Sequence, residues 1–480
     1  MKEISDGFPI DFMFGAGLSA PQSEGGFREH GKGISIPDLH EAVLPNNRKE
    51  HCKLNKENVL EYMRDNCDEN YPKRFGIDFY HTYPQDLKML NKLGLRCLRI
   101  SIAWTRIFPN GDDEVPNNEG LLFYDRLIDE IISNGMKPII TISHYDLPIQ
   151  IVLKYGGWIN PKVIELYVKY ANLLIERYHK KVKHWICMNQ INLLFFEMFP
   201  SIGIFKEDCE DYEQTCYQAI HHQFIACAKV KKFASTLNDP ALAIGTMLAD
   251  CLTYPYSYKP KDVLLSQKRN QMQFYFSDVQ IRGEYPGYIL RYFKDKGIQI
   301  QISEEEGKLL KEYTMDFLAL SYYYTMAINS EKDTLEPSTF TINPDFKMNE
   351  WGWPHDGKLL RKNLTDYYDR YNCPLMIAEC GIGELEELEN NKVHDIERIN
   401  FYRECFESLK LALEDGVDVL AFCAWSPFDI VSSGSGEMSK RYGLIYVDYN
   451  DKGEGSGKRI EKDSYKWYQK VIRSNGKYLE

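Results

Sequence analysis

Along the chain, short apolar runs alternate with longer stretches in which apolar residues recur every three or four positions. The first pattern is that of buried strands and the second that of amphipathic helices. Phe12-Met13-Phe14-Gly15-Ala16-Gly17 opens the series, breaking at glycine, with Gln22 and Glu24 within a turn of its end. Cys97 to Trp104, Lys137 to Ser143, His184 to Met188, Ala241 to Met247, Met315 to Tyr323, Leu375 to Glu379 and Val419 to Trp425 repeat it. Between them the spacing predicts helices over Pro84 to Leu93, stopped by Gly94, over Leu121 to Ser133, stopped by Asn134-Gly135, and over Pro161 to His179, opened by its proline. Val43 to Arg74 turns to Asn, Lys, Glu and Asp with little periodicity and reads as an inserted surface loop.

Eight apolar runs with mostly helical connections, and no two-residue hairpin before Trp425, predict parallel pairing. The α/β fold that satisfies this count is a single (β/α)8 TIM barrel with loop insertions, taking residues 1–480 as one domain. A doubly wound open sheet would carry a glycine-rich phosphate loop after an early strand, and neither a G-x-G-x-x-G nor a Walker motif is present. In a barrel the strand exits share one mouth, where active sites sit. Ala378-Glu379-Cys380-Gly381 is the most pointed of these exits, because four residues suited to burial deliver a carboxylate to the end of a strand. The plainer alternative is a carboxylate that caps the next segment or meets an arginine.

Hydrophobic residues make up 44% of the chain, and no run approaches the ~20 apolar residues that span a membrane. Met1-Lys2-Glu3-Ile4-Ser5-Asp6 lacks the basic start and apolar block of a signal peptide, so a cytoplasmic location is expected. The 12 cysteines are scattered without a C-x-x-C pair, and Cys97, Cys187 and Cys423 lie inside apolar runs, which favours free thiols over a zinc site. A net charge of -12 disfavours nucleic acid and anionic membranes as partners and makes the Ser439-Lys440-Arg441 corner a local exception. Aromatic residues reach 13%, including 33 tyrosines, which suits stacked sugar rings and large cores alike.

Six segments stand in order at the strand exits: Phe14-Gly15-Ala16 with Gln22 and Glu24, Arg99 to Ile107, His144-Tyr145-Asp146-Leu147-Pro148, Met188-Asn189-Gln190, Ala378-Glu379-Cys380-Gly381, and Arg441-Tyr442-Gly443-Leu444. Together, over nearly the whole chain, they resemble family 1 of the glycoside hydrolases, the β-glucosidase family. Within it, Asp429 to Ser433 with Glu437 to Gly443, Asn189-Gln190-Ile191-Asn192 and Glu350-Trp351-Gly352-Trp353 look like the 6-phospho-β-glucosidase branch. Plain β-glucosidases carry a Glu-Trp pair after the eighth strand that binds the sugar's 4- and 6-hydroxyls. Here a Ser/Lys/Tyr set replaces it. The exchange makes physical sense, since a dianionic 6-phosphate is repelled by glutamate but accepts from an ammonium, a hydroxyl and a phenol. Lys440 and Tyr442 are two apart and share a side if that segment is extended.

The resemblance implies Glu379 as nucleophile and Tyr323 as the residue that orients it. It implies Gln22, His144, Asn189 and Trp425 around the sugar, Trp353 as an aglycone platform, and Ser433, Lys440 and Tyr442 at the phosphate, with Ser432 and Ser435 as alternatives to Ser433. It implies no metal or organic cofactor, and a phosphorylated β-glucoside as the small-molecule partner; the oligomeric state stays open. Retaining glycosidases use two carboxyl groups about 5–5.5 Å apart. This chain departs from that requirement, with Gln190 where the family has its acid/base glutamate. An amide still donates a hydrogen bond but releases no proton, which implies turnover reduced by about 10²- to 10⁴-fold. Gln190 is read as an engineered isostere, as a natural glutamine like that of plant myrosinases acting on thioglycosides, or as the mark of a silent sugar-phosphate binder. Phospho-β-galactosides are a narrower alternative substrate. Glu197 is a nearby carboxylate without supporting spacing, and Cys380, Pro21 and Ser23 are further departures from the family pattern.

Overall fold

A computed structural model of the protein describes residues 7–42, 48, 53–65, 67–195, 198–336 and 338–480. The stretch Met1 to Asp6, most of Val43 to Cys52, and Glu197, which entered the expectations above, lie outside them. Eight strands close into a barrel: β1 (Met13–Gly17), β2 (Cys97–Ser101), β3 (Lys137–Ser143), β4 (His184–Met188), β5 (Ala243–Ala249), β6 (Phe317–Tyr322), β7 (Leu375–Cys380) and β8 (Val419–Trp425). Each pairs in parallel with its neighbours in chain order, and β1 pairs with β8 to complete the ring. The principal helices that follow are α1 (Phe79–Leu93), α2 (Asn118–Ser133), α3 (Lys162–Tyr178), α4 (Tyr212–Thr236), α5 (Pro260–Ser277), α6 (Leu360–Tyr371), α7 (Ile396–Glu414) and α8 (Asp463–Arg473). This is the predicted (β/α)8 barrel. Among the described residues no helix is long and apolar enough to cross a membrane.

Strand alternation sorts the side chains into two cores. Met13, Cys97, Ile139, Ile186, Met247, Phe317, Met376 and Ala421, one from each strand, pack together inside the barrel. The intervening positions, such as Leu98, Ile100 and Ile377, face the helices and join Leu87 and Leu90 of α1. Fully burying a side chain of this size contributes about 1.5–3 kcal/mol. Gly15 is required by the inner packing, because a Cβ there would lie 2.3 Å from the Cys97 sulfur.

One irregularity positions the mouth. Along the β6–β7 pair, Leu320 faces Ile377 but the next residue, Ser321, faces Glu379, so Ala378 is skipped. Without that bulge, alternation would put Glu379 on the helix-facing side with Ile377. With it, Ala378 remains in the inner core while Glu379 turns into the mouth.

Several expected boundaries move. The run ending at Trp104 stops as a strand at Ser101, and Trp104–Ile107 is a helical turn fastened by the Trp104 amide donating to Asp146 Oδ2 at 2.9 Å. The fifth and sixth strands run Ala243–Ala249 and Phe317–Tyr322, and β7 extends to Cys380. Helix α1 begins at Phe79, with Pro84 inside it, because Asp78 already anchors the first turn by accepting from the Thr82 amide. Pro161 caps α3 rather than opening it. The expected surface loop before Arg74 contains a helix, Lys56–Tyr62, and ends in the turn Pro72–Arg74, whose Lys73 and Arg74 are buried. Arg74 organises it by donating to the carbonyls of Asp38, Asp65 and Tyr62.

Behind the β8 exit lies a buried ionic network. Arg398 on α7 donates to Glu386, to Asp395 at 3.1 Å, and to the carbonyls of Arg441 and Tyr442 at 2.9 and 2.8 Å. Lys462 donates to Glu386 and to Asp429 at 2.7 Å. Removing one partner from such a network leaves buried charge uncompensated, which costs about 3–5 kcal/mol. Arg398→Met is therefore expected to move the guanidinium unfolding midpoint down by the equivalent of that amount; an unchanged midpoint would show that the network carries no stability.

Candidate active site

The mouth of the barrel opens into a cavity of about 560 Å³. At its floor Glu379 is 2% exposed. Its Oε1 accepts from Arg99 Nη1 at 2.6 Å, and its Oε2 from the Tyr323 hydroxyl at 2.9 Å and Gln190 Nε2 at 3.3 Å. Arg99 reaches this point because it lies two residues beyond Cys97 on the inner face of β2. The same guanidinium donates to Thr141 Oγ1 at 2.9 Å and to Asn189 Oδ1 at 2.5 Å, tying β2, β3, the β4 exit and β7 together. Burial, with the Glu379 charge beside it, keeps the Tyr323 phenol protonated, raising its pKa well above the ordinary value.

Gln190 has φ 40°, in the left-handed region that a residue with a side chain rarely adopts. Its amide is engaged on every side: Tyr145 donates to Oε1 at 2.7 Å, and Nε2 donates to Ser321 Oγ as well as to Glu379. Gln190 Nε2 and Glu379 Oε2 are in direct contact at 3.3 Å, with no room for a water between the two groups.

Gln22, His144, Trp425, Trp353, Ser433, Lys440 and Tyr442 all line the cavity with Glu379, Gln190 and Tyr323. Gln22 accepts from Ser19 and donates to the Val431 carbonyl. His144 stacks on Trp425 with centroids 5.9 Å apart and planes 11° apart. Burial, then the Arg99 and Lys73 charges, push its pKa well down and hold the ring neutral. Among the described residues its Nδ1 has no hydrogen-bond partner, nor does Asn189 Nδ2. Asn189 is set apart from the others: it does not line the main cavity and its oxygen is spent on Arg99.

The end beyond β8 has a different character. Lys440 Nζ lies 3.7 Å from the centre of the Trp353 ring, 5.0 Å from Trp351 and 5.5 Å from Tyr442. Its stem crosses Gly383, where a Cβ would come within 2.7 Å of Lys440 Cε. Burial pushes the Lys440 ammonium down to about 7, against the pull of Glu437 and Glu384. The Ser435 hydroxyl has no partner among the described residues. Leu193, Cys251, Tyr324, Met326 and Phe340 add apolar lining to the same cavity.

Arg99, Ser321, Tyr145, Lys73 and Arg48 were absent from the sequence expectations as site residues. For Arg99 the signal was present, as a cation on the inner face of an apolar strand; Lys73 and Arg48 lay in the stretch read as a surface loop. Among the described residues no group of three or more His, Cys, Asp or Glu is placed to hold a metal ion.

The family model for Glycosyl hydrolase family 1 matches residues 4–477. Among proteins similar in sequence, the aryl-phospho-beta-D-glucosidase BglH of Bacillus subtilis (strain 168) is 41% identical over 478 residues, 98% of each chain. The 6-phospho-beta-glucosidase of Dickeya chrysanthemi is 40% identical over 482 residues, 99% of this chain and 100% of that one. The family 1 b-glucosidase from Thermotoga maritima superposes with a TM-score of 0.82 at 25% identity, covering 98% of both chains. The chain belongs to glycosyl hydrolase family 1.

Proposed function

We propose that this chain, acting as one domain over residues 1–480, is a retaining 6-phospho-β-glucosidase whose proton-transfer step is weakened by Gln190. The observation that carries the substrate reading is Lys440: a buried ammonium facing aromatic rings, hydrogen-bonded to none of the described residues, in the same cavity as Glu379. An ammonium so placed calls for an anion, and Ser433, Tyr442 and the Ser435 hydroxyl stand beside it as donors. The relatives' names point the same way, and gluco selectivity rests on those names. The apolar lining from Leu193, Tyr324, Met326 and Phe340 suits an aryl aglycone.

In this mechanism the phosphate at Lys440 fixes the sugar with its anomeric carbon at Glu379. The Glu379 carboxylate attacks that carbon, the bond to the aglycone oxygen breaks, and a glycosyl ester forms. The family's glutamate would protonate the leaving oxygen and later take a proton from water. Gln190 holds the same place but does neither. Aglycones that leave readily as anions still depart, and the ester then hydrolyses slowly. A second reading, a sugar-phosphate binder without turnover, is favoured by the complete engagement of the Gln190 amide by Tyr145, Ser321 and Glu379. It predicts no burst of aglycone even from a highly activated substrate.

Gln190→Glu is expected to raise turnover of 4-nitrophenyl β-glucoside 6-phosphate by about 10²- to 10⁴-fold, with the unphosphorylated glucoside remaining poor. Equal rates on the two substrates would reject the phosphate pocket, and no gain from the carboxylate would reject the missing acid. Binding is also expected to depend on pH. Lys440 binds phosphate as the ammonium, and its pKa in the empty cavity is about 7. Affinity is therefore fully present below that value and falls as pH rises through it, while protonation of the phosphate itself weakens binding below about pH 6. Calorimetric titration with glucose 6-phosphate from acid to alkaline pH measures this, and a flat profile above neutrality contradicts it.

A further inference from the structure

Two neighbouring strand exits carry a residue with a side chain in left-handed backbone, Tyr145 after β3 with φ 62° and Gln190 after β4 with φ 40°. Conformations of this kind gather at functional sites. At Tyr145 the local structure enforces it: the buried Asp146 carboxyl group accepts from the His144 amide and from the Trp104 amide, both at 2.9 Å, and so pins the chain on either side. The ring lines the cavity, and its hydroxyl donates to Gln190 Oε1 at 2.7 Å. This is the end of the amide away from Glu379, which meets Nε2. A departing aglycone also lies opposite the nucleophile, within hydrogen-bond reach of residue 190 on the reading above. Three other ionisable groups of the cavity are turned elsewhere. The Tyr323 hydroxyl is spent on Glu379, His144 is stacked on Trp425, and Asp250 accepts from Asn363 at 2.8 Å and from the Leu252 amide at 3.3 Å.

We infer that Tyr145 donates a proton to the departing aglycone in this chain, in place of the carboxylic acid that Gln190 lacks. The inference rests on the hydrolase reading above. As Glu379 forms its bond to the anomeric carbon, the bond from that carbon to the aglycone oxygen breaks, its electron pair stays on the oxygen, and the phenol proton passes to it. The phenolate left behind takes a proton from the water that cleaves the glycosyl ester, which restores Tyr145 and the Glu379 carboxylate. At rest the proton faces a neutral amide oxygen; an aglycone oxygen gathering negative charge is the stronger acceptor and draws it off. A phenol is a weaker acid than a carboxylic acid, so the substitution is partial.

The test is the dependence of kcat/KM on the leaving group, measured with the full chain on 2,4-dinitrophenyl, 4-nitrophenyl and phenyl β-glucoside 6-phosphates, in the parent, Tyr145→Phe, Gln190→Glu and the double variant. In the parent background Tyr145→Phe is expected to cost about tenfold or more on the phenyl substrate and less than about threefold on the dinitrophenyl one, which departs unaided. In the Gln190→Glu background the same change is expected to cost less than about threefold throughout, because the carboxyl group supplies the proton. A loss equal across the series, no loss, or a larger loss in the Gln190→Glu background makes Tyr145 an orienting residue only and overturns the inference, with the hydrolase reading left standing. So does a parent that releases dinitrophenol but no phenol while Gln190→Glu releases both. Release of neither product by the parent and by Gln190→Glu overturns the hydrolase reading and the inference with it. Should Tyr145→Phe fail to fold by circular dichroism, difluorotyrosine at position 145 decides: at about pH 6 its more acidic phenol is expected to raise phenol release relative to dinitrophenol release, and an unchanged ratio overturns the proton transfer.

Discussion

The contact between Arg99 and Glu379 is the constraint on which the mouth of this barrel depends. Both side chains are almost wholly removed from water, at 1% and 3% exposure. Desolvating two such charges costs several kcal/mol per ion, and their attraction roughly restores what burial removes. The pair therefore adds little net stability. Its effect is placement: one rigid guanidinium fork meets Glu379, Asn189 and Thr141, and so fixes the β7, β4 and β3 exits relative to β2. Tyr323 and Gln190 then fill the second Glu379 oxygen. A carboxylate held by donors on both oxygens has one orientation available before any ligand arrives, so little reorganisation remains for the chemical step.

Charge is handled differently on the two sides of the loop after β8. Behind it, Arg398, Lys462 and Arg441 stand against Glu386, Asp395 and Asp429, a network balanced within the protein. Those bonds end on the carbonyls of Arg441 and Tyr442 and on the Gly443 amide, so they set the backbone of the segment that presents Lys440 and Tyr442. In front, Glu437 is occupied by Arg48 and the Trp351 indole, and Lys440 faces rings instead of a carboxylate. Of the two carboxylates whose charge acts on Lys440, Glu437 is already held by Arg48 and the Trp351 indole, and neither Glu437 nor Glu384 hydrogen-bonds the ammonium.

The fold was legible because it is written in repetition. Eight apolar runs with polar exits survive errors of two residues at any boundary, as the fifth and sixth strands show. The principal site residues were legible only through the family resemblance, since His144 or Trp425 alone looks like packing. Three features escaped for physical reasons. Strict alternation along Leu375 to Glu379 assigns Glu379 to the helix-facing side, and the bulge at Ala378 that reverses this is a property of the β6–β7 pairing, not of either run alone. The contact of Asn189 Oδ1 with Arg99 escaped because no spacing encodes the reach of a buried guanidinium. Lys73 was lost in a stretch rich in polar residues, where local composition signals solvent and the actual burial comes with bonds to distant segments, from Arg74 to the Asp38 carbonyl and from Lys73 to the Ser433 carbonyl.

Gln190 shows how separable binding and proton transfer are in this architecture. An amide copies the shape of a protonated carboxylic acid and offers two N–H donors where the acid has one O–H; Gln190 spends them on Ser321 and Glu379 while its oxygen accepts from Tyr145. What it lacks is the capacity to change protonation state during a cycle. The groups proposed to hold the phosphate come from the loop after β8, whereas position 190 follows β4. Among the described residues no hydrogen bond from the Gln190 amide runs to Ser433, Lys440 or Tyr442, so on the proposed reading recognition of the sugar phosphate does not depend on that amide. On that reading, loss of one proton donor lowers the rate of both chemical steps while the driving force for occupancy, set by charge at the far end, is unchanged.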